Sequence, residues 1–260
     1  DLPEIVFKPA ASELATRQDN NLMENILAYT SLISGDRNTP VSNWADVVRA
    51  NALLESIGAP VGDRYLLMNP YTSAKLAGAQ LDLANGSGGS NLNAWQNAQM
   101  SANLGGFQAF KASNIPVYQT GQPTDRSGAI NSVIDTKYET YANGLQSFEL
   151  KVKELVSGDY IYPYQNVTIQ GVNRLNQHSR TVFSDETGNT VPWSGVILPP
   201  PSSLKYYTVS TAGEVTLKVS APIICEKEAG VSLGQYDTVD APPSYGNAVT
   251  ISGPVNKTIQ

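Results

Sequence analysis

The chain has 260 residues, of which 41% are hydrophobic and 15% are charged, so it can bury a substantial core and does not have the composition of a disordered polypeptide. Its net charge of −6 is thinly spread, without a basic run, which argues against a phosphate-neutralising surface for nucleic acid. Cys225 is the single cysteine and excludes an internal disulfide, and no apolar stretch approaches the roughly 20 residues of a membrane span.

Two helices are predicted in the first sixty residues. From about Ala10 to Ser34, apolar residues recur at spacings of four, three and four, which places them on one face of a long helix that ends at Gly35. These residues are Leu22, Ile26, Tyr29 and Ile33. A second helix is predicted to start from a cap at Ser42 or Asn43 and to stop at Gly58 and Pro60. Its expected buried side comprises Trp44, Val47, Val48, Leu54 and Ile57.

The stretch "RYLLMNPYTSAKLAG" predicts a strand that runs into a third helix. Tyr65 to Met68 form the strand, Asn69 caps the helix, and Pro70 occupies the first turn, where its missing N–H costs nothing. The helix continues to about Ala79. Ligands of open α/β proteins collect beyond the carboxyl ends of strands, which makes this strand end a candidate site, although the sequence supplies no general base nearby.

A glycine-rich loop, "ANGSGGSN", separates this part from a short segment around Trp95 and from "GGFQAFKASNIPVYQTG", which predicts two strands and a turn. From about Ile130 the pattern changes to strands. "QSFELKVKEL" alternates apolar and polar residues, and "YYTVSTAGEVTLKVSAPII" predicts two strands with a turn at Ala212-Gly213. "RTVFSDETGNTVPWSG" predicts a hairpin. Short strands at this spacing favour a small barrel or sandwich.

Several residue types that can form functional sites have structural explanations in this sequence. The single histidine, His178, excludes a catalytic triad or zinc site that needs a second imidazole within the chain. "NGSGGS" lacks the Lys-Ser/Thr of a phosphate-binding loop and is interpreted as a mobile connector. The 13 tyrosines favour amphipathic contact surfaces, for subunits or for sugars. Cys225 is interpreted as a core residue.

Two acidic groups lack the spacing of a calcium loop. Asp185, Glu186 and Asn189 are attributed to turn chemistry, and the pair Asp237 and Asp240 to a solvated loop. Three Asn-x-Ser/Thr sequons matter only in a secreted chain. They lie at Asn85, Asn166 and Asn256.

The runs "SGDRNTPVSNWADVVRANALLESIGAPVGDRYLLMNPYTSAKLAGAQ" and "NAWQNAQMSANLGGFQAFKASNIPVYQTG" resemble the central part of major capsid (coat) proteins of tailed bacteriophages, of the short-tailed type. "LPEIVFKPAASELATRQDNNLMENILAYTSLI" is similar to the spine helix of that fold. "LVSGDYIY", "IQGVNRLNQHSR" and "GEVTLKVSAPI" are similar to the barrel inserted into some of these proteins. The resemblance implies an α+β fold, with a spine helix, an axial α/β domain and an inserted antiparallel β-barrel domain. It also implies that the Asn69-Pro70 junction is a folding corner inside the axial domain and not a substrate site.

The resemblance also implies a domain division and a function. Residues 1–34 would form the spine helix and peripheral segment, 35–129 the axial domain, 130–251 the inserted barrel, and 252–260 a return strand. The barrel would enter at the loop Thr120 to Gly128 and leave at Asp240 to Asn247. The protein would be a structural subunit, not an enzyme, that assembles in the host cytoplasm into the icosahedral shell of the virion.

Its expected partners are further capsid subunits in hexamers and pentamers, a scaffolding protein and a portal. It would enclose double-stranded DNA without a specific binding site and contact no membrane. No catalytic residue, metal or cofactor is expected. Because the chain begins at Asp1 and stops within the strand-like "VNKTIQ", we expect it to be part of a longer polypeptide.

Two alternatives from other classes remain at this point. A secreted carbohydrate-binding or adhesive protein is favoured by the β-rich second half, the tyrosines and the sequons. A hydrolase would need a carboxylate pair such as Asp237 and Asp240.

Overall fold

A computed structural model describes much of the chain, with gaps between the described ranges. The described residues are 7–35, 41–82, 103–115, 118–119, 126–141, 147–185, 187–201, 204–226, 234, 236–252 and 258–259. Their helices are α1 (Lys8–Tyr29), α2 (Trp44–Ser56), α3 (Pro70–Asp82) and the single turn α4 (Tyr138–Tyr141). Their strands are β1 (Tyr65–Met68), β2 (Asn103–Leu104), β3 (Phe107–Lys111), β4 (Tyr118–Gln119), β5 (Arg126–Ile130), β6 (Ser147–Lys153), β7 (Tyr160–Ile161), β8 (Asn166–Asn173), β9 (Pro192–Ile197), β10 (Tyr207–Thr208), β11 (Val215–Ser220), β12 (Ala248–Ile251) and β13 (Thr258–Ile259).

The second helix forms as its sequence predicts. Asn43, not Ser42, is the cap: its side-chain oxygen accepts the Asp46 N–H at 3.1 Å, and the Asp46 carboxylate accepts the Asn43 N–H at 3.3 Å. This reciprocal capping box satisfies two N–H groups that the first helical turn leaves free. Val47 is buried, but the predicted core residue Val48 is 50% exposed. The predicted burial of Val48 was wrong because helical spacing shows only which side chains share a face of the helix. How much of that face is buried depends on the elements that pack against it.

The small sheet has the order β1-β3-β2. β1 pairs in parallel with β3, and β2 and β3 form a tight hairpin. Gly105 and Gly106 make the turn with φ of +56° and +88°, a backbone conformation that favours glycine at both positions. The core between this sheet and its helices is formed, among the described residues, by four buried side chains. They are Val47, Met68, Leu76 and Phe107.

Six strands form a closed antiparallel barrel in the order β11-β6-β5-β12-β8-β9. The alternation predicted in "QSFELKVKEL" is observed, since Leu150 and Val152 point into the core and face Leu217 and Val215 across the β6–β11 pair. The inward-facing apolar residues of these strands join one cluster, which is separate from the core of the small sheet and includes Trp193. The predicted fold class, mixed helices and strands with an antiparallel barrel, is therefore confirmed.

The strands that enter and leave the barrel lie side by side. β5 pairs with β12, with Arg126 opposite Ile251. The segment Thr120 to Gly128, predicted to be a polar loop, is therefore barrel strand from Arg126 onward. The hydrophilic start "RSG" concealed this strand, because its first residue is an arginine that is buried only through a tertiary ion pair.

The first helix differs from its prediction in length and in its buried face. It ends at Tyr29 instead of Ser34, and Thr30 is extended with φ −88° and ψ 104°. Leu22, Ile26 and Tyr29 are each at least half exposed. The periodicity correctly placed these residues on one helical face, but about half or more of each side chain on that face remains exposed.

Candidate functional site

The corner at Asn69-Pro70 has the geometry of a helix start. The Asn69 side-chain oxygen accepts the Thr72 N–H at 2.7 Å, and its carbonyl accepts the Ser73 N–H at 3.0 Å. Pro70 is the first residue of α3. Both polar groups of Asn69 are thus used to begin the helix, which agrees with the interpretation of this strand end as a folding corner.

The acidic tip of the predicted hairpin is also organised by turn bonds. Asp185 accepts the backbone N–H groups of Thr187 and Asn189 at 2.9 and 3.0 Å, and the Thr187 hydroxyl donates to the same oxygen. The hydroxyl is the main reason that the pKa of Asp185 is lowered. Glu186 lies outside the described residues. Turn chemistry therefore accounts for Asp185, as predicted.

The pair Asp237 and Asp240 does not lie in a solvated loop, so that prediction was wrong. Asp237 has no exposed surface, and its two oxygens accept the N–H groups of Glu226 at 2.8 Å and Gly234 at 2.6 Å. Asp240 accepts both the backbone and side-chain N–H of Asn173, each at 2.8 Å. The Asp240 carboxylate joins two segments that are 67 residues apart, and the Asp237 carboxylate binds two nearby backbone N–H groups. This use fits structural anchors better than an open catalytic pair.

The other singled-out residues have structural surroundings. His178 is exposed on the turn after β8, where its backbone N–H donates to Asn176. Cys225 is buried in the barrel core. Asn166 is only 2% exposed, so the native fold would not present this sequon to a glycosylating enzyme. Asn85, Asn256, Trp95 and the glycine-rich loop lie outside the described residues.

Functional interest centres on the junction where the barrel meets α1 and α2. The turn after β8 caps the C-terminus of α2: the Asn176 side-chain amide donates to the Ser56 carbonyl at 2.7 Å, and the Gln177 N–H donates to the Ile57 carbonyl at 2.9 Å. These carbonyls lie at the C-terminal end of α2, where the last backbone carbonyls have no N–H partner within the helix. Gly58 follows, and a side chain there would meet the His178 ring at 2.8 Å.

A largely buried arginine forms the other half of the junction. Arg174 Nη2 donates to the Ser31 hydroxyl at 2.6 Å and to the Ser194 carbonyl at 2.7 Å, and the Ser194 hydroxyl donates to the Ser31 carbonyl. Burial lowers the pKa of Arg174 to about 10. These bonds hold the chain just after α1 against β9, which explains why the helix ends at Tyr29 and does not continue through Ser31.

Sequence reasoning missed the junction residues Ser31, Arg174, Asn176 and Ser194. Two local signals were present. Asn176 precedes "QHS", a pattern typical of an Asx turn, and its oxygen does accept the His178 and Ser179 N–H groups. Arg174 interrupts an apolar strand end. Neither signal names a partner, because the partners lie far away in the chain.

The described part of the chain contains neither a metal-binding cluster nor a helix that could span a membrane. There, no three side chains of the metal-binding types come together. Its helices include none with the length and apolarity needed to cross a bilayer.

The chain was compared with known proteins and protein families. A solved structure titled "CUS-3 coat protein I-domain" aligns with 52% of this chain and 98% of its own, at 22% identity and a TM-score of 0.30. A "Major capsid protein" of Acyrthosiphon pisum secondary endosymbiont phage 1 is 27% identical over 256 residues, which are 95% of this chain and 56% of that relative. The chain thus spans about half the length of that relative. The family model "P22 coat protein - gene protein 5" matches residues 3–259, and the chain therefore belongs to the P22 coat protein family.

Proposed function

We propose that this chain is part of a structural major capsid protein subunit, which assembles with copies of itself into the icosahedral shell that encloses packaged phage DNA. The observation that carries the proposal is the family match over residues 3–259. Capsid assembly depends on the contact surfaces between subunits and not on a catalytic centre. The structural use of Asp185, Asp237 and Asp240 agrees with a protein that is not an enzyme.

We infer that the subunit forms hexamers and pentamers, with a scaffolding protein and a portal as further partners. Assembly would take place in the host cytoplasm and leave the protein in the virion. The net charge of −6 supports enclosure of DNA without a specific binding site, because a shell lining that gripped phosphates would hinder packing and release of the genome.

We also infer that the barrel is an inserted domain, with residues 1–34 as the spine segment, 35–129 as the axial domain and 252–260 as the return strand. The separate barrel core and the adjacent entry and exit strands support this division. Since the strand β5 begins at Arg126, we propose that the barrel starts at residue 126 instead of 130 and that the axial domain correspondingly ends at residue 125.

Two fragments test the division. Fragment 126–252 contains all six barrel strands, and fragment 131–247 lacks β5 and β12 and cannot close the barrel. We expect the first to show a β-type circular dichroism spectrum and one cooperative thermal transition, and the second to remain unfolded. An unfolded 126–252 fragment that needs residues before Gly121 to fold would show that the two cores are not independent.

Assembly is tested with the full-length gene from which this chain derives, co-expressed with its scaffolding protein. Sedimentation and electron microscopy should find closed shells of uniform size. A matched control replaces the exposed barrel residue Glu149 with Ala, which leaves the junction intact and should also give shells. A strictly monomeric product with enzymatic activity would contradict the proposal.

A further inference from the structure

A cavity lies in the junction between the barrel and the two helices. Its volume is about 220 Å³, which is several times that of a water molecule. Side chains from α1, from the β8 turn and from the barrel wall line it, including Tyr29, Gln177 and Trp193. Two guanidinium groups, those of Arg174 and Arg180, also line the cavity.

The two arginines lack a counter-ion in the described part of the chain. Arg174 donates to hydroxyl and carbonyl oxygens only, and Arg180 Nη1 donates to the Asp237 carbonyl at 2.8 Å. No carboxylate is among the residues that line the cavity. Arginines buried in proteins are ordinarily paired with an anion, because removing their charge from water is costly.

Arg174 also retains unused bonding capacity. Its Nε is shielded from solvent and has no hydrogen-bond partner among the described residues. A guanidinium has five N–H donors in a planar fork whose spacing matches the oxygens of a carboxylate or phosphate. A second guanidinium on the same cavity increases the positive potential there, because the apolar wall formed by Trp193 and Ile57 screens charge poorly.

We propose that this cavity is a binding site for a small oxyanion, a carboxylate or a phosphate, held between Arg174 and Arg180. The bound anion neutralises the charges of the two guanidinium groups and so stabilises the contact between the barrel and the helices. Two sources carry this chemistry, a free ion or an acidic side chain of a second copy of the chain. Anion binding to the isolated chain does not depend on the proposed capsid function, whereas the second source does.

The test is thermal unfolding of the complete 260-residue chain in increasing sodium phosphate, compared with sodium chloride at equal ionic strength and neutral pH. We expect a saturable rise of the midpoint in phosphate alone, since a ligand that binds only the native state stabilises it. Arg180→Gln should weaken phosphate affinity about tenfold or more, because it removes one charge-assisted donor group. Lys151→Gln, at an exposed barrel lysine, should keep the full effect of phosphate.

The readout is the increment caused by phosphate and not the midpoint itself, so the loss of the Arg180 bond to Asp237 does not confuse it. If Arg180→Gln does not fold, Arg180→Lys keeps the charge without the planar fork and should give weakened binding. Equal midpoints in phosphate and chloride, or an unchanged phosphate increment in Arg180→Gln, would overturn the proposal.

Sedimentation velocity separates the two sources once binding is observed. If a carboxylate of another copy fills the site, phosphate competes with it, and both phosphate and Arg180→Gln weaken self-association. If a free ion fills it, phosphate leaves self-association unchanged. Absence of self-association of the chain would exclude a second copy as the source of the anion without affecting the phosphate result.

Discussion

Replacement of Asp237 by Ala should destabilise the protein through two partly buried hydrogen bonds. Asp237 has no exposed surface and accepts the N–H groups of Glu226 and Gly234. Glu226 is itself exposed and Gly234 is half-buried, so water replaces part of the lost acceptor. The loss of one typical hydrogen bond costs about 0.5–1.5 kcal/mol, so two together should cost about 1–3 kcal/mol. That is a considerable share of the roughly 5–15 kcal/mol by which proteins are stable.

Urea unfolding followed by circular dichroism measures this loss. Asp237→Asn keeps one carbonyl oxygen but turns an NH2 group toward the other donor, so we expect about half of the Ala effect. Glu149→Ala, at an exposed position of β6, should stay within about 0.5 kcal/mol of the parent chain.

The structural role of Asp237 would be refuted by an Asp237→Ala chain that is as stable as the parent within about 0.5 kcal/mol. A catalytic carboxylate would behave differently: the Asn variant would keep stability and lose an activity. That pair of results would favour the hydrolase alternative.

Three further predictions concern the barrel and its junction. Gly195→Ala should lower the free energy of unfolding by about 1–3 kcal/mol, because a Cβ there would lie 2.8 Å from a backbone oxygen of β11. Gly78→Ala, with open space around its helical position, should raise it by about 0.5–1 kcal/mol. The midpoints of urea unfolding measure both changes. Asn176→Ala should speed amide exchange in the last turn of α2, while Ser179→Ala, which keeps the backbone bond to Asn176, should not. Burial raises the pKa of Tyr141 to about 12 from an ordinary value of 10.0. The stability that neutral Tyr141 contributes is therefore complete below pH 10 and falls as the pH rises toward 12. Tyr141→Phe should flatten the fall of unfolding free energy with pH in this alkaline range. An unchanged dependence on pH in this variant would contradict the raised pKa of Tyr141.

Short-range signals predicted several elements correctly. The N-terminal cap of α2 in the pair Ser42 and Asn43, the Asn69-Pro70 helix start and the alternation of β6 were predicted correctly because each involves residues within a few positions of one another. Their hydrogen bonds and packing preferences operate along one element, so the local pattern contains most of the information.

Burial was predicted less well than secondary structure. Leu22 and Ile26 share a helical face as predicted but remain at least half exposed, whereas Asp237 was assigned to solvent and is fully buried. Periodicity specifies which side chains point the same way. It does not specify whether another part of the molecule covers them.

The sequence by itself determined the helix caps, the strand alternation, the change from helical to β pattern and the family resemblance. Only the tertiary structure decided the closure of the barrel, the anchoring role of Asp240 and the junction around Arg174. The physical reason is the separation along the chain of the groups that interact: Asn173 and Asp240 are 67 residues apart, and Ser31 and Arg174 are 143 apart. Such bonds form only after folding has paid the entropy of closing long loops, and no pattern within a short window records which distant partner will be met.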